Sequence, residues 1–473
     1  MMSTLHFSTP LYRLLLSLTL CTLAGSAWAD HHQSAAKSAE TPIKSSAKST
    51  KTKEQIRLDG MLSTTLYLRN DTDFDPSPRF DDLDGQRDGQ FATFFNPTLT
   101  IDTGKQVLIK YQMEIGWNAW GLNNPSQPQQ FMAMPGQAVQ GRHRLLWGAW
   151  RSKSLSVRFG FQEIKDPSGM FLNHTVGAIR IQNSWGPHRL KLVFAQLPDT
   201  TYEGIGFNRD YITDDNLTTD RFLVGSDYRM KHKRLKLHFA LYGLSDESLF
   251  NRALRIGTAV FAAKFKAKNR KYWLHVLGQG GWQDKASALN EQVDHRAWAV
   301  QAGAQIDYGA FDWSIRGFGL SGDDDADGNR HQGAFFGAAK NLSKTRLFTE
   351  DESRDRYDNL DERMGSYLGV LAFNPAGIMV ADFSMGYEVN DWYRVETVMG
   401  IATTMNPARA MGARYMGTEV TLTQRVKLSE AAQVFLTALA LLPGEAAAVL
   451  INDQDRQAQQ TLYGMNLGIA AQF

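Results

Sequence analysis

A single cysteine, Cys21, stands among 473 residues. That excludes a disulfide framework and a cysteine-based zinc site. An excess of one charge is missing too: 51 Lys+Arg against 49 Asp+Glu leave a formal net charge of +2. Nucleic acid is bound by clustered, unbalanced cations, so it is not an expected partner. Beyond the N-terminal segment there is no run of ~20 apolar residues, which excludes a spanning helix. Hydrolase motifs such as G-x-S-x-G and H-E-x-x-H are absent. The 11 histidines are scattered, and only His174, His275, His295 and His331 lie where a rim Ser/His or Asp/His pair would be sought. Neither an enzyme nor an organic cofactor is expected. At 43% hydrophobic residues the chain is still too apolar for a disordered polymer. A large soluble domain or a β-barrel remains.

The N-terminus favours export. Residues 1–29 read as a secretory signal peptide, with Arg13 before the apolar run from Leu14 to Leu20 and Ala27-Trp28-Ala29 as the cleavage site. Residues 30–54 hold Lys37, Lys44, Lys48, Lys51 and Lys53 among Ser and Ala. With almost nothing to bury, they are expected to form a disordered periplasmic tail.

From residue 55 to 473 the dominant period is two. Ile56, Leu58, Leu62, Leu66 and Leu68 share one face, and Arg57, Asp59, Ser63, Thr65 and Arg69 the other. The same alternation marks strands through Val107–Trp117, Leu155–Phe161, Leu235–Leu241, Trp298–Tyr308 and Met379–Val389. Short turns at 103–105, 152–154, 186–187, 231–234, 268–271, 309–310, 390–391 and 429–432 alternate with longer connections. These are 70–90, 118–141, 163–175, 197–218, 245–253, 283–294, 321–377, 404–413 and 443–460. Short periplasmic turns and long extracellular loops mark an outer-membrane barrel. Nine long loops predict an all-β, closed antiparallel transmembrane barrel of about eighteen strands, in the outer membrane of a Gram-negative bacterium. Parity puts the strand-like stretch 365–373 inside loop 321–377, while 431–451 is apolar enough to be a helix. The last segment alternates through Tyr463, Met465, Leu467, Ile469 and Ala471 to a terminal Phe473. It resembles the sorting signal read by the barrel-assembly machinery. The remaining expected partners are outer-membrane lipid and lipopolysaccharide.

A barrel of this size encloses water, so the polar faces are candidate pore lining. The cations are Arg57, Lys110, Arg144, Arg158, Arg180, Arg189, Lys191, Arg221, Lys236, Lys264, Arg316, Arg394 and Arg425. The acids are Asp59, Glu114, Asp227, Asp307, Asp312, Asp382, Glu388, Glu396 and Glu419. Cations lead, which predicts a weak anion preference. The alternative is that opposite charges pair and only hold the wall together. In the acidic loop, Asp323, Asp325, Asp327 and Gly328 match the first half of a calcium loop, with Asp323, Asp325, Asp327 and Asn329 as candidate ligands, but the closing Glu is missing: position 334 is Ala. Calcium held by these residues and loop carbonyls is one reading; a solvated loop is the other. Loop 321–377 carries Phe335-Phe336 and Leu347-Phe348 and is expected to pack over the mouth or into the lumen.

Two regions resemble the alginate-export family of outer-membrane channels. They are Ser321-Gly322-Asp323 with Asp327-Gly328-Asn329, and Met416-Gly417-Thr418-Glu419-Val420 followed by Leu441-Leu442-Pro443-Gly444. The resemblance implies a monomeric eighteen-strand barrel. The mixed lumen departs from the arginine-rich conduit of that family's polyuronate exporters. The leading expectation is a porin-like channel for passive diffusion of hydrophilic solutes. Its alternatives are an export pore for an anionic, alginate-like polysaccharide and a barrel-embedded enzyme or adhesin.

Overall fold

The computed structural model describes residues 54–69, 88–104, 106–122, 139–197, 221–246, 254–284, 292–323, 331–333, 335, 344–345, 376–451 and 459–473. The expected signal peptide and tail lie outside them. The wall begins with β1 (Gln55–Arg69), β2 (Asp88–Asp102), β3 (Val107–Leu122), β4 (Val139–Arg151), β5 (Leu155–Lys165) and β6 (Asn173–Trp185). It continues with β7 (His188–Leu197), β8 (Arg221–His232), β9 (Leu235–Asp246), β10 (Leu254–Ala267), β11 (Arg270–Asp284), β12 (Gln292–Tyr308) and β13 (Phe311–Leu320). After the two-residue β14 (His331–Gln332) come β15 (Ile378–Asn390), β16 (Tyr393–Thr404), β17 (Tyr415–Lys427), β18 (Ala432–Pro443) and β19 (Leu462–Gln472). A 3-10 turn, Pro407–Ala410, precedes β17, and a short helix, α1 (Glu445–Ile451), follows β18.

Each wall strand pairs antiparallel with its neighbours, β13 pairs directly with β15, and β1 closes the ring on β19. This is a closed antiparallel barrel of eighteen strands; β14 lies inside a loop and runs parallel to β12. Closure leaves no unpaired edge to meet lipid. The strand-like stretch 365–373, placed in the loop by parity, lies outside the described residues. The apolar stretch 431–451 divides at Pro443-Gly444 into the strand β18 and the helix α1.

The tight turns fall where the sequence put them. At 186, 233, 268 and 309 the first turn residue has positive φ: Gly186 54°, Lys233 46°, Lys268 42° and Gly309 59°. That conformation lets a two-residue turn match strand twist. Both ends of the described barrel lie at this turn end, where Gly60 and Phe473 exchange two backbone hydrogen bonds of 3.1 Å.

The outer face is apolar, with Phe159, Ile179, Phe194, Val224, Leu241, Ile315, Phe383, Ile401 and Leu467 all exposed. Aromatic residues flank this band at the turn end (Trp150, Trp185, Tyr272, Tyr308, Phe311, Tyr387) and at the loop end (Trp282, Trp298, Tyr415, Tyr463). An apolar belt between two aromatic girdles is the exterior of a membrane-spanning barrel.

The inner face corrects one expectation. On β5–β11 its charges lie toward the turn end, while on β15 and β17 buried Asp382 and Glu419 stand nearer the loop end. Toward the loop end the face becomes largely small and apolar: Val176, Ala178, Val193, Ala195, Leu223, Ala240, Leu277, Ala299, Phe318, Leu320, Ile378 and Val380 are all buried. In that half both faces of a strand are apolar, so a reading by alternation cannot register the inner one. Met170, Phe171, Leu172 and Phe335, from loops, belong to the same cluster.

Candidate functional site

The inner wall has two electrostatically different sides. On β5–β11 cations stand directly opposite cations. Arg158 faces Arg180, Arg189 faces Arg229, Lys231 faces Lys236, Lys236 faces Lys264, and Lys266 faces Lys271. Like charges directly opposed destabilise a sheet, so this arrangement does not serve the wall's own stability. On the inner face of β5–β10 the one described carboxylate is Asp227, held by Lys191 at 2.9 Å with His238 Nδ1 at 3.4 Å. The Arg158 guanidinium lies 3.8 Å from the Trp147 ring centroid, a cation–π arrangement that fixes its position.

On β13–β17 the charges interleave. Arg394 bonds Asp312 and donates to Glu388 at 3.0 Å. Arg316 stands opposite Asp382. Arg425 donates to Glu396 Oε2 at 3.1 Å. Glu419 is fully buried and accepts from Thr421 at 3.0 Å. On this side the wall-holding alternative describes the residues well.

Residues of two connections pack against the inner wall. The connection 166–172 is organised by Asp166, whose carboxylate accepts from the backbone N–H of Ser168 (2.7 Å), Gly169 (3.1 Å), Phe171 (3.2 Å) and Leu172 (2.8 Å), and from the Ser168 hydroxyl. The loop reaches inner residues several strands away. Lys264 on β10 donates to Pro167 O at 3.4 Å, and Phe171 packs against Tyr242 on β9 with ring centroids 5.6 Å apart. The second is loop 321–377. Its Lys344 ammonium bonds Glu396, and Thr345 is buried against Gly400. These two residues pack inward; most of the rest of the loop lies outside the described residues.

The pore-lining residues read from the sequence fall as follows. Arg57, Lys110, Arg158, Arg180, Lys191, Lys236, Asp312, Arg316, Asp382, Arg394, Glu396, Glu419 and Arg425 take the inner register of their strands. Arg57, paired with Asp59 at 2.7 Å, sits at the exposed turn-end mouth. Glu114 falls opposite Arg142 in register. Arg144 is the extra residue of a bulge, where the β3–β4 register shifts between Gln112 and Met113, so strand parity does not assign it. Reading from sequence took Lys231 and Lys271 with the turns at 231–234 and 268–271, and did not single out Arg229 or Lys266.

Asp323 bonds the Arg409 guanidinium and accepts from the Gly333 N–H at 3.3 Å. An arginine thus stands where a calcium ion was considered; Asp325, Asp327 and Asn329 lie outside the described residues. Among the described residues no group of three or more His, Cys, Asp or Glu could hold a metal. His275 bonds Gln301 at 2.8 Å, and His295 bonds Gln279 at 3.3 Å; these histidines belong to wall networks.

A closed eighteen-strand wall, apolar outside and charged within, with residues of its connections packed inward, defines the porin type of outer-membrane barrel. No family model and no curated protein matches the chain. Solved structures do. OccK9 (OpdG) of Pseudomonas aeruginosa superposes with a TM-score of 0.55 at 10% identity, over 89% of this chain and 98% of that one. A double variant of OccD1 (OprD) gives 0.53 at 10% identity, over 90% and 97%. OccAB3 of Acinetobacter baumannii gives 0.52 at 9% identity, over 88% and 99%. At such identities the likeness is one of fold: the chain has the architecture of the OprD/Occ outer-membrane porins. The alginate-export resemblance finds no support among these neighbours.

Proposed function

We propose that the protein is a Gram-negative outer-membrane channel for passive diffusion of small hydrophilic solutes, with a preference for anions. The observation that carries the preference is the set of directly opposed cations on β5–β11. Their mutual repulsion falls when an anion lies between them, and charged rings in a pore set its ion selectivity. The interleaved wall opposite attracts neither sign strongly, so the lumen's field is set from one side. The outer-membrane location is supported by the apolar belt and aromatic girdles and by the neighbours' fold. The inward connection 166–172 and the apolar packing at the loop end favour a solute-sized passage over a polysaccharide conduit.

The test is the zero-current potential of the barrel in a planar bilayer across a potassium chloride gradient. We expect chloride selectivity. Lys236→Glu, which places an acid between Lys231 and Lys264, should move the potential toward the non-selective value. A cation-selective channel, or a potential indifferent to Lys236→Glu, would overturn the anion reading.

A further inference from the structure

Two neighbouring turns carry cations that lie outside the lumen. The β8–β9 turn holds His232, Lys233 and Arg234, and the β10–β11 turn holds Lys268 and Arg270; all five residues are exposed. The Lys266 N–H donates to Arg234 O at 2.9 Å, which holds the two turns side by side. Lys233 and Lys268 take the positive-φ position, at 46° and 42°, that glycine fills in the turns at 186 and 309. Lysine is disfavoured there, yet both of these turns carry one. Neither turn contains an acid, whereas Asp307, Glu388, Asp391 and Glu430 stand in or beside other turns. Asp307, of the following turn, is held by Lys271 at 3.4 Å. Among the described residues Lys233, Arg234, Lys268 and Arg270 have no ion-pair partner.

The outer wall beside these cations meets lipid. His232, Leu235, Phe265 and Tyr272 stand in one row across β8–β11. Phe265 and Tyr272 are exposed, with ring centroids 6.2 Å apart. Arg270 shares the outer register with Tyr272, two residues nearer the turn, and stands opposite Ala267. Girdle aromatics sit at the level of the lipid headgroups. Arg270 and the two turns therefore lie at the phosphates of the leaflet on the turn side, and anionic lipids attract such clusters of Lys and Arg. A soluble acidic protein would approach from the water and leave Arg270 and the aromatic row unused.

We propose that the two turns form a headgroup site for an anionic phospholipid of the periplasmic leaflet. Lys233, Arg234, Lys268 and Arg270 take the phosphate-bearing headgroup, and Leu235, Phe265 and Tyr272 receive an acyl chain. The lumen cations have no part in it.

The test uses phosphatidylglycerol and phosphatidylcholine in equal measure in mixed micelles with the refolded barrel, and native mass spectrometry to read the lipid retained. The wild type should keep phosphatidylglycerol in preference. Arg270→Gln should weaken that retention about fivefold, the share of one cation beside an anionic lipid surface. Lys233→Asn/Arg234→Gln/Lys268→Asn/Arg270→Gln should abolish the preference; Asn is chosen because it accepts positive φ. Lys153→Gln, in a turn outside the site, should change nothing. No preference in the wild type, or the same preference in the fourfold variant, would overturn the site. Excess polyglutamate should leave the retained lipid in place. Its displacement by polyglutamate would overturn the lipid reading in favour of an acidic soluble partner.

Discussion

Gly225 and Gly243 stand on adjacent strands but on opposite sides of the wall. A Cβ at Gly225 would lie 2.1 Å from Tyr242 Cδ1, whereas one at Gly243 would meet nothing within 4 Å. The Tyr242 ring lies over Gly225 and carries Phe171 of the inward loop. Gly225→Ala should therefore displace the ring at a cost of about 1–3 kcal/mol, the usual price of overpacking. Gly243→Ala, facing outward, should be near neutral. Urea midpoints of the refolded barrels compare the two, and equal midpoints would refute this account of Gly225. At the same scale, Asp323 shows why a motif misleads. Its spacing fits a calcium loop, yet its carboxylate goes to Arg409, which lies 86 residues on in the chain. No local pattern announces a partner that distant.

Among the elements, the loop 166–172 is fixed chiefly by one carboxylate. Asp166→Ala leaves four backbone N–H groups without their acceptor, and each buried unsatisfied group costs about 1–3 kcal/mol. The loop should leave Tyr242 and Lys264, and the conductance should rise while far-UV circular dichroism stays that of an intact barrel. Unchanged conductance would mean that the loop holds its place by the packing of Met170, Phe171 and Leu172 alone. The strands themselves were legible in sequence because lipid on one side and polar lumen on the other impose a period of two. All nine long connections and eight turns were read from it, and the count of eighteen followed. The inner face toward the loop end was not legible. There Val193, Leu223, Leu277 and Phe318 pack against other side chains, so no polar partner alternates with the outward residues. Nor was the basic wall legible as a wall: opposed pairs such as Lys236 with Lys264 appear only once register is known, and Lys231 and Lys271 border turns that sequence could not end to the residue.

For the molecule as a whole, the ring closes through β1 and β19, and Phe473 sits on the seam. Its ring stacks on Phe95 at 5.7 Å and covers Gly60, while its backbone pairs with Gly60 in both directions. Phe473→Ala keeps the backbone pairing and loses an aromatic contact of about 0.5–1.5 kcal/mol. The refolded variant should be nearly as stable as the parent in urea but slower to close, read as the rate at which the compact, heat-modifiable form appears on electrophoresis. A large fall in the urea midpoint with an unchanged rate would place the residue's role in the finished wall. The meeting of the two ends has a topological consequence. Every wall strand has two neighbours, so the seam differs from the other strand pairs only in lacking a peptide connection. A short linker from Phe473 to Gln55, with new termini cut at Gly186-Pro187, would give a circular permutant with the same neighbours for each strand, since exposed tight turns are where such cuts are tolerated.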